Sequence, residues 1–183
     1  MVRIGNDDSA ERVERVSTNA VKDAWAQTTD ELEVLAEQRR ENGWDTVAVP
    51  AIQTAAVSRD AGPKHNERFG IVFVVPDNYA DSFSEAFERG EFPRFQAYRN
   101  EVSGAVFLVV EYLDPDTETA ILLAGQYERR HVGGMLSAAA DEGVLYTHAK
   151  TLNGTILGSF EHEGDEYEPL VPETIEPIGD TSE

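Results

Sequence analysis

Residues 105–127 read AVFLVVEYLDPDTETAILLAGQY, and the rest of the chain has to be arranged around them. Ala105 to Leu113 and Thr119 to Tyr127 are long apolar runs, and Asp114-Pro115-Asp116-Thr117-Glu118 lies between them. Proline pre-sets φ and aspartate bonds to its own backbone, so the five residues predict a turn and the two runs a hairpin. Both runs are apolar at odd and even positions alike, which predicts strands covered on both faces. Phe69 to Val75, FGIVFVV, has the same character.

Working outward, His131 to Glu142 has the spacing of a helix, with Val132, Met135, Leu136 and Ala139 inward and Gly143 as its stop. Val144 to Leu152 and Thr155 to His162 then read as strands meeting at Asn153-Gly154, a strong signal for a two-residue hairpin loop. In the other direction, Arg94 to Arg99 reads as a short strand. Asn78 to Arg89 reads as a helix with Asn78 as N-cap, a Tyr79, Phe83, Ala86, Phe87 stripe and Gly90 as its end. Trp44 to Ser58 alternates like one strand, and Pro50, lacking a ladder donor, places it at a sheet edge or a bulge. Residues 8–42 carry apolar positions three or four apart. Thr28-Thr29-Asp30-Glu31 leaves one bent helix and two short ones equally open, because Thr29 could cap a second helix.

The expected fold is therefore α+β. It has a mainly antiparallel sheet of six or seven strands, a long N-terminal helix or two helices, and two shorter helices, with helices or a partner subunit on each side. Residues 8–163 form the expected domain, 1–7 a flexible N-terminus and 164–183 a disordered acidic tail without Lys or Arg.

Charge is the strongest compositional signal. Asp and Glu number 35 against 15 Lys and Arg, a formal net charge of −20, and the only lysines are Lys22, Lys64 and Lys150. At molar salt the screening length falls to about 3 Å, which removes most of the self-repulsion such a chain would suffer in dilute buffer. The composition points to adaptation to a salt-rich cytoplasm. There is no cysteine, so disulfides, thiolate metal sites and thiol nucleophiles are excluded. The longest apolar run, Ala105 to Val110, is far short of the about 20 residues that cross a membrane, and the charge disfavours direct nucleic-acid binding. The expected location is cytoplasmic, with no membrane partner.

The segments Phe69 to Asn78, Gln126 to Gly134 and Tyr146-Thr147-His148 resemble an uncharacterised family of haloarchaeal proteins, a domain of unknown function. The resemblance implies the saline habitat and supplies neither activity nor site.

Three places could carry chemistry. Arg129-Arg130-His131-Val132-Gly133-Gly134 closes a strand and opens a helix. Arginine forks, free helical N–H groups and bare glycine backbone suit a small anion, although close packing and ion pairing explain the same residues. On the last hairpin a two-residue loop pairs Lys150 with Leu157, His148 with Ser159 and Tyr146 with Glu161 on one face, where His148 is the candidate acid or base. The loop Arg59 to Arg68 gathers Arg59, Lys64, His65 and Arg68. The histidines at 65, 131, 148 and 162 lack metal-ligand spacing, so neither a metal nor a cofactor is expected. The residues fit a small non-catalytic binding or regulatory module that self-associates. The alternative is a small enzyme on a phosphorylated or carboxylated metabolite, with Arg129, Arg130 and His131 gripping the anion and His148 moving protons.

Overall fold

A computed structural model describes residues 4–59 and 69–173, with side chains from Ser9 onward. The chain is α+β and mostly antiparallel, but the strands among the described residues number eight and divide into two four-stranded sheets. One sheet has the order β1 (Asp45–Pro50), β6 (Thr119–Glu128), β5 (Ala105–Asp114), β4 (Arg94–Val102). The other has the order β2 (Gln53–Val57), β3 (Gly70–Val74), β7 (Val144–Lys150), β8 (Ile156–Glu163). Among the described residues only β1 with β6 and β3 with β7 run parallel.

The single expected sheet becomes two because the stretch from Trp44 to Ser58 is not one strand. Ala51 N–H still donates to Ala124 O at 2.9 Å in the first sheet, and Ile52 N–H donates to Val74 O at 2.9 Å in the second. The chain changes sheets between these neighbours, directly after Pro50, and the inward parity changes with it: Val47, Val49 and Ala51 face the core between the sheets before the crossing, and Ala56 does so after it.

The predicted hairpin of β5 and β6 forms with Asp114 opposite Thr119. Its even-numbered residues, Val106, Leu108, Val110 and Tyr112, enter a core between the sheets with Ile71, Phe73, Ile121 and Leu123. Its odd-numbered Val109 and Leu113 face the other way, into a second core with Ala120, Leu122, Leu32 and Ala36. Both parities are apolar because one face meets the opposite sheet and the other meets a helix.

That helix, α1 (Ile4–Glu41), is unbroken over 38 residues. Thr28 and Thr29 do not cap a second helix. Their hydroxyls donate back to Ala24 O at 2.7 Å and Ala26 O at 2.9 Å, which leaves the helical ladder intact. The helix already begins at Ile4, inside the segment expected to be flexible.

α2 (Asp77–Arg89) and α3 (Gly133–Glu142) close the two ends of the sandwich, contributing Phe83, Ala86, Met135, Ala138 and Ala139 to the inner core. α2 starts one residue before the expected Asn78 cap and has no side-chain cap. β4 is nine residues long, more than Arg94 to Arg99, because Ser103 and Gly104 (φ 50° and 81°) make a tight turn that pairs it with β5 along its whole length. The first ten residues of the expected acidic tail, 164–173, belong to the described structure. Gly164–Leu170 is a 3-10 helix, Leu170 and Val171 are buried, and Tyr127 OH donates to Leu170 O at 2.7 Å. Residues 174–183 of that tail lie outside the described residues.

Candidate functional site

β1 stops at Pro50, opposite Ala124, whereas β6 continues to Glu128. Over its last four residues, Gly125 to Glu128, β6 has no described strand on that side. In a ladder successive residues turn their backbone groups to alternate neighbours. Ala124 O points toward β1, as its bond from Ala51 shows, so the N–H and C=O of Gln126 and Glu128 point the same way, into the gap.

The gap is a cleft of about 1030 Å³. Gln53 to Ala56 of β2, itself an edge strand, form one wall, and Gln126 to Glu128 form the other. The Ser103-Gly104 turn, Val21 of α1 and the basic trio Arg129, Arg130 and His131 complete it. At its inner end the sheets touch: a Cβ on Gly125 would lie 2.2 Å from Thr54 Oγ1, so only glycine lets β2 cross here.

The five anion-site candidates therefore separate. Arg129, Arg130 and His131 line the cleft from a three-residue 3-10 turn, not from the first turn of α3, which begins at Gly133. Gly133 and Gly134 are not in the cleft lining, and Gly134 serves packing, since a Cβ there would lie 2.6 Å from Cβ of Ser58. The basic groups hold carboxylates of their own chain. Arg130 Nε lies 2.8 Å and His131 Nε2 3.3 Å from Glu128 Oε2, and Arg129 lies 3.6 Å from Glu101 while donating to Glu173 O at 3.2 Å. Arg130 is 76% exposed, so its ion pair is readily exchanged.

His148 is elsewhere. Its predicted partner is present, with Nδ1 2.7 Å from Ser159 Oγ, and Tyr146 stands opposite Glu161 as expected. The reason differs from the one anticipated. Thr151 N–H bonds Thr155 O, so the loop has three residues, Leu152-Asn153-Gly154, with Gly154 at φ 96°. Lys150 then faces Ile156 instead of Leu157, and a bulge at Ala149/Lys150 takes up the extra residue and restores the register at Ala149. His148 is 3% exposed, and neither it nor Ser159 lines the cleft that holds the arginines.

Of the third candidate, only Arg59 is described. It is tied to α3 by Glu142 at 2.7 Å and lies over the Phe69 ring at 5.6 Å, while Lys64, His65 and Arg68 fall outside the described residues.

Sequence reasoning missed a buried polar cluster between the sheets. Tyr112 OH lies 2.6 Å from Thr147 Oγ1, and His162 Nε2 lies 3.3 Å and 3.2 Å from these two oxygens. Burial pulls the His162 pKa down to about 4 and pushes the Tyr112 hydroxyl up. His162 Nδ1 is buried without a hydrogen-bond partner. The cluster was hidden because Thr147 and His162 sit at inward positions that parity alone had marked for apolar side chains. Among the described residues no group of His, Asp or Glu is placed to hold a metal ion.

The comparisons with known proteins bear on the chain as a whole. A family of unknown function, DUF7529, matches residues 10–172, which takes in the helix, both sheets, the cleft and the buried cluster. The chain belongs to the DUF7529 family. No curated protein and no solved structure matches it. Among the described residues no helix is long and apolar enough to cross a membrane. For DUF7529 the match over 10–172 joins the last 3-10 helix to the same unit as the strands, in keeping with the burial of Leu170.

Proposed function

We propose that this member of DUF7529 is a non-catalytic binding module of a salt-rich cytoplasm, with its ligand seat in the cleft between β2 and the end of β6. One observation carries the reading. The groups an enzyme would combine are kept apart: Arg129, Arg130 and His131 line the cleft, His148 does not, and Tyr112 and His162 are sealed between the sheets. What the cleft offers is hydrogen bonding, from the amides of Gln53 and Gln126, the Ser103 hydroxyl and strand edges that have no strand partner among the described residues, with exchangeable cations at its rim. The net charge of −20 and the scarcity of lysine support the saline habitat, as does the resemblance to haloarchaeal proteins.

Thermal denaturation in about 2 M KCl, where screening is nearly complete, tests the seat against nucleotides, sugar phosphates, amino acids and short peptides. At least one class is expected to raise the midpoint, to do so less in Arg130→Ala, and to be recovered chemically unchanged. Conversion of the bound compound to a product would remove the non-catalytic reading. Loss of fold on dialysis into dilute buffer is expected from the charge, and an unchanged spectrum there would remove the salt reading. Light scattering over a range of concentrations tests self-association, which a monomer throughout would exclude.

A further inference from the structure

We infer that the cleft takes the carboxyl-terminal end of an extended peptide, added as a strand beside β6 in line with β1; this rests on the cleft being the ligand seat. The vacancy has the form of a missing strand. Among the described residues β6 is paired on its β5 side along its full length, from Thr119 to Glu128, but on the other side only from Thr119 to Ala124. Beyond that point the backbone groups of Gln126 and Glu128 face the cleft, and the chain that would have bonded them has left for the second sheet. A polypeptide in extended form satisfies such groups with its own N–H and C=O, the mode of recognition in which main-chain bonds supply affinity and side-chain pockets supply selectivity. The cleft's 1030 Å³ is ample for a few residues, and the crossing at Ile52 and Gln53 closes its inner end.

Charge sets the direction. β6 runs from the closed end of the cleft toward Arg129, Arg130 and His131, which immediately follow it. A strand parallel to β6, as β1 is, brings its carboxyl terminus to these three groups, whereas an antiparallel one would bring its amino terminus. Elsewhere the chain is heavily acidic, so a basic rim at this one strand end selects a carboxylate. Glu128 holds Arg130 through an ion pair half or more exposed and lies 3.3 Å from the exposed His131 ring, and the incoming carboxylate takes its place.

The test uses the full chain at a salt concentration where it is folded. Random hexapeptides displayed with a free carboxyl end are selected on it, and the most enriched sequence is synthesised in three fluorescein-labelled forms: free acid, carboxamide, and free acid N-methylated at alternate amides. The acid should bind. The carboxamide and the N-methylated form should each bind roughly tenfold more weakly, from a lost charge-assisted contact and from lost ladder bonds respectively. In Arg129→Ala/Arg130→Ala, acid and carboxamide should converge. On binding of the acid, amide hydrogen exchange should slow at Gln126 and Glu128. Equal binding of the N-methylated form, or unchanged exchange at those two amides, overturns strand addition. Absence of any enrichment overturns the peptide, while a continued thermal response to small metabolites would leave the binding module standing; failure of both removes the two together.

Discussion

β5 divides two buried layers that treat ionisable groups in opposite ways. Between α1 and the first sheet lie small and aliphatic side chains, Ala36, Ala48, Ala120, Ala124, Leu32 and Leu122, and one charge, Glu111, at 1% exposure. Arg39 of α1 pairs with it at 3.0 Å, and Arg39 in turn lies over Trp44 at 5.2 Å. Between the sheets lie aromatic rings, with Tyr112 and Phe160 stacked at 3.6 Å, and one titratable base, His162, also at 1% exposure. It has hydroxyl neighbours and no counter-ion among the described residues, and burial holds its pKa down to about 4. A helix lying across a sheet lets a long cation reach in from its flank, whereas two facing sheets admit none. The outer layer therefore tolerates a charge, and the inner layer holds only a neutral polar cluster.

The largest expected effect breaks the inner layer by volume. Phe73→Ala removes a fully buried ring between the sheets and should cost about 4 kcal/mol in urea unfolding, against about 3 for Leu32→Ala under the helix. The outer layer can relax, because α1 is held on one side only. Equal costs would mean that the helix is as firmly clamped as the sheets.

Next in size is a pH effect of the inner layer. With a folded pKa near 4 against an ordinary 6.5, His162 binds a proton more readily in the unfolded chain. Stability from this group is thus complete above about pH 6.5 and falls as pH drops toward 4, by about 3 kcal/mol in all. Stability curves of wild type and His162→Gln should diverge in that window. The Asp114 carboxylate, held down chiefly by the Glu91 N–H at 2.7 Å, loses its contribution only at lower pH, below the ordinary carboxylate value. A wild-type curve flat between pH 4 and 6.5 would show His162 to be charged in the fold.

The outer-layer counterpart is smaller. Arg39→Ala strands Glu111 beneath the helix, but water can reach through the space the partly exposed arginine leaves, so a loss of about 2 kcal/mol is expected, short of a fully buried pair. Adding Glu111→Leu should recover most of it. No recovery would place the value of Arg39 in its contact with Trp44 instead.

This contrast explains what was legible in the residues. The hairpin of β5 and β6 was legible because its turn chemistry and its two apolar parities are local. The register of His148 with Ser159 was legible too, although a three-residue loop and a bulge compensate each other to produce it. The division into two sheets was not. In the sequence Val47, Val49, Ala51, Ala55 and Val57 show one continuous alternation, whereas in the fold Ala56 and not Ala55 faces the inner core, beyond a crossing that only the partners Ala124 and Val74 define. The cleft inherits that opacity. Its basic rim, Arg129 to His131, stood out as a run of residues, but the open edge beside it exists because β1 ends four residues short of β6, a difference between strands whose paired residues lie 74 positions apart. Pro50 marked the place without revealing that the chain turns there into another sheet.

The smallest expected effect belongs to the exposed ion pairs at that rim, and it completes the series from ring to surface. Arg130, Glu128 and His131 are each half or more exposed, so solvent already screens them and ordering the side chains offsets much of the attraction. Arg130→Ala should shift unfolding free energy by less than about 0.5 kcal/mol, and by less still as salt is raised. A loss approaching that of Arg39→Ala, persisting in molar salt, would mean that the rim is part of the folded scaffold and not free to exchange partners. The same small value is what a ligand seat requires, because a carboxylate arriving from outside displaces Glu128 only if the resident pair contributes little.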